Sequence, residues 1–119
     1  MPILPLAGIF ARYPVQRIVS YHHADKRFLT LTLELGMDGM RIETHDRLPH
    51  GEQVNFQLVL GEHSIWSRGR VVRSEVLTRN RTVSDIEFVQ LTEPNLAALQ
   101  EHLAALDNRP KPPGGILYG

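Results

Sequence analysis

Between Arg27 and Thr44 the chain alternates apolar and polar residues with a period of two. Leu29, Leu31, Leu33 and Leu35 alternate with Phe28, Thr30, Thr32 and Glu34. Successive side chains of a strand point to opposite faces, so this spacing predicts a strand with four leucines on one apolar face. Gly36-Met37-Asp38-Gly39 interrupts the pattern. It predicts a tight turn in which the glycines tolerate positive φ and Asp38 bonds local backbone N–H groups. Met40 to Thr44 resumes the alternation and completes a hairpin.

The same period recurs along the chain. Gln16 to Tyr21 predicts a short first strand, followed by a polar loop at 22–26. Val54, Phe56, Leu58 and Leu60 mark a fourth strand, closed by the turn Gly61-Glu62-His63. Ser64 to Glu75 predicts a long fifth strand. Gly69 inside it marks a bend or the close approach of another backbone. Val76 to Arg81 reads as a loop and Thr82 to Leu91 as a sixth strand. The period then changes. Leu96, Leu99, Leu103 and Leu106 recur at spacings of three and four, one stripe of a helix, with Thr92 as N-cap and Glu93 and Pro94 in the first turn.

Six strands at hairpin spacing and one amphipathic helix predict a mainly β fold, a six-stranded antiparallel barrel with a C-terminal α-helix. The domain covers residues 12–107. An extended apolar arm at 1–11 precedes it, and a Pro/Gly-rich tail at 108–119, expected to be disordered, follows it.

Composition narrows the function classes. The 119 residues suffice for one domain with a core. Lys+Arg and Asp+Glu are both 13, which gives no global attraction to nucleic acid or to an anionic membrane. No cysteine is present, so disulfides, iron–sulfur clusters and thiolate zinc sites are excluded. No stretch reaches the roughly 18 apolar residues of a membrane span. A cytoplasmic location is expected. The six histidines are scattered or adjacent, at 22, 23, 45, 50, 63 and 102, and predict no metal site. No serine lies in a G-x-S-x-G turn, and no P-loop or G-x-G-x-x-G is present. No catalytic residue is expected.

Arginine is the more informative residue. Arg12 and Arg17 flank the first strand, and Arg68 and Arg70 share a face of the fifth. A guanidinium fork bonds guanine O6 and N7, bonds phosphate, or stacks on a base. Arg68 and Arg70 read equally well as part of a solvated outer wall.

The order of parts resembles the PilZ domain family, a bacterial six-stranded barrel that binds cyclic di-GMP. Four places carry the resemblance: Arg12-Tyr13-Pro14-Val15 before the first strand; Glu34-Leu35-Gly36-Met37-Asp38-Gly39 where the family has D/N-x-S-x-x-G; Gly69-Arg70-Val71-Val72-Arg73; and Asp85-Ile86-Glu87-Phe88 with Leu91-Thr92-Glu93. The resemblance covers about residues 12–106. It implies a ligand site at Arg12, Arg17, Glu34, Gly36 and Gly39, with Arg68 and Arg70 as secondary candidates. Arg12 and Arg17 would contact guanine edges and phosphates. Glu34 would accept from a guanine edge, and the two glycines would let the backbone approach the ligand. The sequence also departs from the family. An R-x-x-x-R spacing ending at Arg12 would begin at Gly8, and one beginning at Arg12 would place Arg17 one residue late. Glu34 replaces the shorter Asp or Asn, and Gly36 replaces serine. Losing one bidentate arginine costs roughly 1–3 kcal/mol, about 5- to 150-fold in affinity. The resemblance thus implies a signalling domain that binds cyclic di-GMP, weakly, and relays it to a protein partner. The alternative is an adaptor in motility or pilus assembly that no longer binds nucleotide. A barrel that binds single-stranded nucleic acid through Trp66, Arg68 and Arg70 is the third reading.

Overall fold

The computed structural model describes residues 11–107. The tail and all but the last residue of the arm lie outside the described residues. Seven strands and one helix follow in chain order: β1 (Arg12–Tyr13), β2 (Ile18–His23), β3 (Lys26–Gly36), β4 (Gly39–Thr44), β5 (Gln53–Leu60), β6 (His63–Thr78), β7 (Arg81–Phe88) and α1 (Glu93–Asp107). The order β3-β2-β5-β6-β7-β4, with β4 pairing back onto β3, closes a six-stranded antiparallel barrel. Closure leaves few unpaired strand edges. β1 is a two-residue addition that pairs with the last residues of β3, Arg12 opposite Gly36 and Tyr13 opposite Leu35.

The leucine face is not what the alternation predicts. Leu29 is 74% exposed and Leu31 42%, while Thr32 and Leu35 are both fully buried. A bulge between Thr32 and Glu34 is the reason: Thr32 pairs with Ile42, but Glu34 pairs with Arg41 and Leu35 with Met40. One extra residue in β3 exchanges its two faces at that point. Before the bulge Phe28, Thr30 and Thr32 face inward. After it Leu35 does, and Glu34 is turned to the outer wall.

The interior is filled by alternate residues of every strand, among them Val19, Tyr21, Met40, Ile42, Leu58 and Ile86. Gly69 admits the Ile86 side chain, since a Cβ there would lie 2.3 Å from Ile86 Cγ2. The nearest approach is that of this side chain, and the Glu87 backbone carbonyl comes next at 3.2 Å. The expected loop at 76–81 is shorter than predicted, because β6 continues to Thr78 and turns through Arg79 and Asn80 into β7. β7 ends at Phe88, three residues before the predicted end.

Three hydroxyls line one end of the interior. Thr44 Oγ1 donates to Asp46 O at 3.0 Å, and the Leu48 N–H donates to Ser74 Oγ at 3.0 Å. With one proton per hydroxyl, Ser84 Oγ must then donate to Thr44 Oγ1 and accept from Ser74 Oγ, each at 2.9 Å. This relay anchors the 45–52 loop to the barrel.

Helix α1 covers the other end. Thr92 Oγ1 accepts the Asn95 N–H at 3.4 Å, as an N-cap does. Leu99 and Leu103 enter the core. Each buries a side chain worth roughly 1.5–3 kcal/mol. Leu96, on the same stripe, is 41% exposed.

Candidate functional site at the β3–β4 corner

The corner is assembled by three local causes. The bulge in β3 puts Glu34 on the outer wall. The turn between β3 and β4 places Asp38 just beyond it, with its carbonyl fixed by the Phe88 N–H at 2.9 Å. The pairing of β1 with Leu35 and Gly36 then lays Arg12 across both carboxylates. Arg12 Nε donates to Asp38 Oδ1 at 3.1 Å, and its Nη2 to Oδ2 at 3.4 Å. Its Nη1 stands 3.8 Å from Glu34 Oε1. One guanidinium thus lies between two partly exposed carboxylates. Such a group offers planar donors to phosphate or a guanine edge, and the carboxylates offer acceptors to guanine N–H groups.

The glycines have structural work that does not involve a ligand. A Cβ on Gly36 would lie 2.7 Å from both Ala11 O and Arg12 Cδ. The arm itself occupies that space. A Cβ on Gly39 would lie 2.2 Å from Ile86 O and 3.1 Å from Glu87 Cα. It is the pairing of β4 with β7, Gly39 opposite Glu87, that needs it bare. Neither glycine has positive φ; among the described residues the positive-φ glycines are Gly51 and Gly61. The turn-geometry reason for the corner glycines is therefore replaced by close backbone packing.

The structure does not bring Arg17 to this corner. Its Nε donates to His102 Nε2 on α1 at 2.9 Å, and its Nη1 to Gln16 O at 2.9 Å. Burial and the adjacent Arg17 charge both hold the His102 pKa below the ordinary histidine value. A neutral imidazole with a free Nε2 lone pair is what the Arg17 contact needs. Arg70 and Arg68 lie on the outer wall of β6. Arg70 Nε pairs with Glu87 at 3.2 Å, and Arg68 Nη1 reaches Gln53 Oε1 at 3.4 Å.

Asp38 is the corner residue that the sequence reading assigns a different task. Its expected role was to bond turn backbone through its side chain; its carboxylate instead engages Arg12. The available signal was charge: an acid at the tip of a turn and an arginine in the arm of the same motif. Beside the corner, Ala11, Tyr13 and Met37 face Leu103 and Ala104 of α1 across a shallow hollow of about 190 Å³. Among the described residues no three His, Asp or Glu side chains converge as metal ligands. No helix among them is long and apolar enough to cross a membrane.

The same fold occurs in solved structures. A K. pneumonia MrkH–c-di-GMP complex superposes with a TM-score of 0.75 at 15% identity, covering 87% of this chain and 54% of that one. The Bacillus subtilis inhibitor of motility MotI/DgrA gives 0.70 at 17% identity, covering 86% and 52%. The chain thus spans about half the length of these two proteins. The PilZ domain of Escherichia coli YcgR with c-di-GMP gives 0.67 at 12% identity, covering 83% and 90%. At these identities the likeness concerns the fold. No curated protein sequence matches the chain significantly. The PilZ domain family model matches residues 10–105, from the residue before Ala11 to the last turn of α1. That match takes in the β1 residue Arg12, the closed barrel and the helix that caps it, and the chain belongs to the PilZ domain family.

Proposed function

We propose that this domain is a signalling module of the cytoplasm that binds cyclic di-GMP at the β3–β4 corner and passes the bound state to a protein partner. The observation that carries the reading is Arg12, brought by β1 over Gly36 to the carboxylates of Glu34 and Asp38. Cyclic di-GMP presents two phosphates and two guanine edges. The Arg12 fork suits either, and Glu34 suits the guanine N–H donors. Gly36 and Gly39 serve indirectly, by seating the arm and β4. Two features make the binding weak: Arg12 must leave Asp38, and Arg17 is held by His102. The proposed role is recognition, without chemistry on the ligand. The solved relatives MrkH and YcgR, which carry c-di-GMP in their structures, agree with this ligand class.

Calorimetric titration with cyclic di-GMP tests the reading. A saturable heat that Arg12→Ala abolishes is expected. No heat and no thermal shift at high micromolar ligand would sink it.

One observation favours a second reading, an adaptor that works without nucleotide. Every guanidinium at or near the corner already has an internal partner, Arg12 with Asp38 and Arg17 with His102. On that reading the barrel binds its partner equally well with and without cyclic di-GMP, and Arg12→Ala leaves partner binding unchanged.

A further inference from the structure

The outer wall of the barrel is divided by charge. On the β4, β7 and β6 side, Arg41, Arg70, Arg73 and Arg81 each reach a carboxylate: Asp85, Glu87, Asp85 and Glu43 respectively. The other side is different. No Asp or Glu occurs anywhere in β2 or β5, in residues 26–33 of β3, or in residues 63–70 of β6. Among the described residues, Arg27 and Arg68 on that side reach no carboxylate, in contrast to the four arginines opposite.

The outer face of β2 and β3 also carries the most exposed aliphatic side chain among the described residues, Leu29, with two further exposed ones beside it. The bulge that turns Glu34 outward leaves Leu29 and Leu31 outside, 74% and 42% exposed, and Ile18 beside them is 50% exposed. They are neighbours by register: Ile18 pairs with Leu31, and Leu29 pairs with Ser20. Ser20 is only 4% exposed although it faces outward, so the three aliphatic side chains stand around a small residue. Gln57 continues the row from Ser20, and the exposed Trp66 borders it. One row further along the strands, Arg27 pairs with His22. Leu31, Leu29 and Arg27 lie two residues apart, about 6.7 Å each. The surface therefore runs from apolar to basic over about 13 Å.

Exposed aliphatic side chains gathered beside a cation that reaches no carboxylate mark an interaction surface. We propose that the outer face of β2 and β3 docks an amphipathic helix of a partner protein, with apolar residues at i and i+3 or i+4 over Ile18, Leu31 and Leu29 and carboxylates at the end that meets Arg27. Charge complementarity selects this occupant. Arg27, which reaches no carboxylate among the described residues, stands at one end of the exposed aliphatic side chains and is matched by an acidic segment. A second copy of the same basic-bordered face would bring like charges together. The length also fits: 13 Å is about nine residues of helix at 1.5 Å each. Helices read by such grooves use the same spacing of anchors. This supplies the partner surface that the proposed relay lacks, but it does not depend on nucleotide binding.

The test is a selection from a random 12-residue peptide display library on the wild-type protein without nucleotide, counter-selected on Leu29→Ser/Leu31→Ser. Both leucines are exposed, so the variant is expected to fold, which circular dichroism melting checks. Enriched peptides should carry Asp or Glu together with apolar residues at helical spacing. Their affinity should fall at least tenfold for the double variant and for Arg27→Glu, and should weaken with salt. Peptides that are uncharged or basic, or no enrichment over the counter-selected variant, overturn the proposal. So does a wild-type dimer in sedimentation that the double variant abolishes, which would make the occupant a second copy. Binding of the protein to 3:1 phosphatidylcholine–phosphatidylserine vesicles without peptide enrichment would assign the face to a membrane surface instead. A failed nucleotide titration leaves each of these outcomes unaffected.

Discussion

Arg12 and Asp38 meet through two near-parallel contacts, Nε to Oδ1 at 3.1 Å and Nη2 to Oδ2 at 3.4 Å. The carboxylate holds the guanidinium fork in the way a phosphate would. Any anionic or guanine ligand at this corner must first replace it. The pair is partly exposed, and such pairs contribute about 0.2–1 kcal/mol. Asp38→Asn should therefore tighten cyclic di-GMP binding by up to about fivefold in calorimetry. The thermal midpoint should hardly move. A weaker complex instead would make Asp38 itself a contact of the ligand.

The two corner glycines should separate stability from binding. In Gly39→Ala the new methyl meets the backbone carbonyl of Ile86 at 2.2 Å, inside the β4–β7 ladder that closes the barrel. Overpacking of this kind costs about 1–3 kcal/mol or more, read as a lower urea midpoint. In Gly36→Ala the methyl meets Ala11 O and Arg12 Cδ at 2.7 Å. The two-residue β1 can lift away while the barrel stays closed. Its urea midpoint should stay near wild type, while ligand heat disappears with the displaced Arg12. Equal losses of stability in the two variants would mean that β1 is part of the cooperative barrel.

What was legible in the sequence follows from how far each signal reaches. The period-two pattern found every barrel strand, and the leucine spacing with Thr92 found α1, because both signals are local. The alternation could not reveal the bulge, since an inserted residue has no signature in a stretch as uniformly leucine-rich as Leu29 to Leu35. The prediction therefore placed Leu29 and Leu31 on the core face, where the structure has Phe28 and Thr32. The two residues of β1 were too short to show a period. Arg12 and Glu34 were found through the family motif, and the structure brings them together. Arg17 was placed with them through the same motif, one residue off its spacing, but His102, 85 positions away, engages it. Contacts of that range are fixed by the packing of α1, which no local pattern encodes.

The Arg17–His102 contact makes a pH-dependent prediction. Arg17 is already a cation, so its Nε–H needs the lone pair of neutral His102. Burial first, and then the Arg17 charge, lower the folded-state pKa of His102 below the ordinary value of 6.5. An unfolded chain therefore binds a proton on His102 at a higher pH than the folded one does. The contribution to stability is complete above about pH 6.5 and declines as pH falls from there through the folded-state pKa. Urea unfolding at pH 7.5 and pH 5.5 should show a smaller difference in His102→Gln than in wild type. Glutamine keeps an acceptor for Arg17 but does not titrate in this range. An unchanged difference would assign the acid sensitivity to other groups.

Thr32 ties the arm to the barrel, and its replacement should affect both. The side chain is fully buried. Its Oγ1 accepts the Arg17 N–H at 2.8 Å and donates to Val15 O at 2.7 Å. The Thr32 N–H also donates to Arg17 O at 2.9 Å. These bonds fix the segment between β1 and β2. Thr32→Val conserves shape but strips partners from one backbone donor and one backbone acceptor. Each orphaned group costs about 1–3 kcal/mol, so a loss of roughly 2–6 kcal/mol in urea unfolding is expected. Thr32→Ser keeps the hydroxyl and gives up one methyl group, about 1 kcal/mol. If burial of the methyl were what mattered, the serine variant would be the less stable of the two. With the hydroxyl decisive, valine is the less stable. Valine should also weaken cyclic di-GMP binding at temperatures where the barrel is still folded, because the segment that carries Arg12 to Glu34 and Asp38 has then lost its anchor.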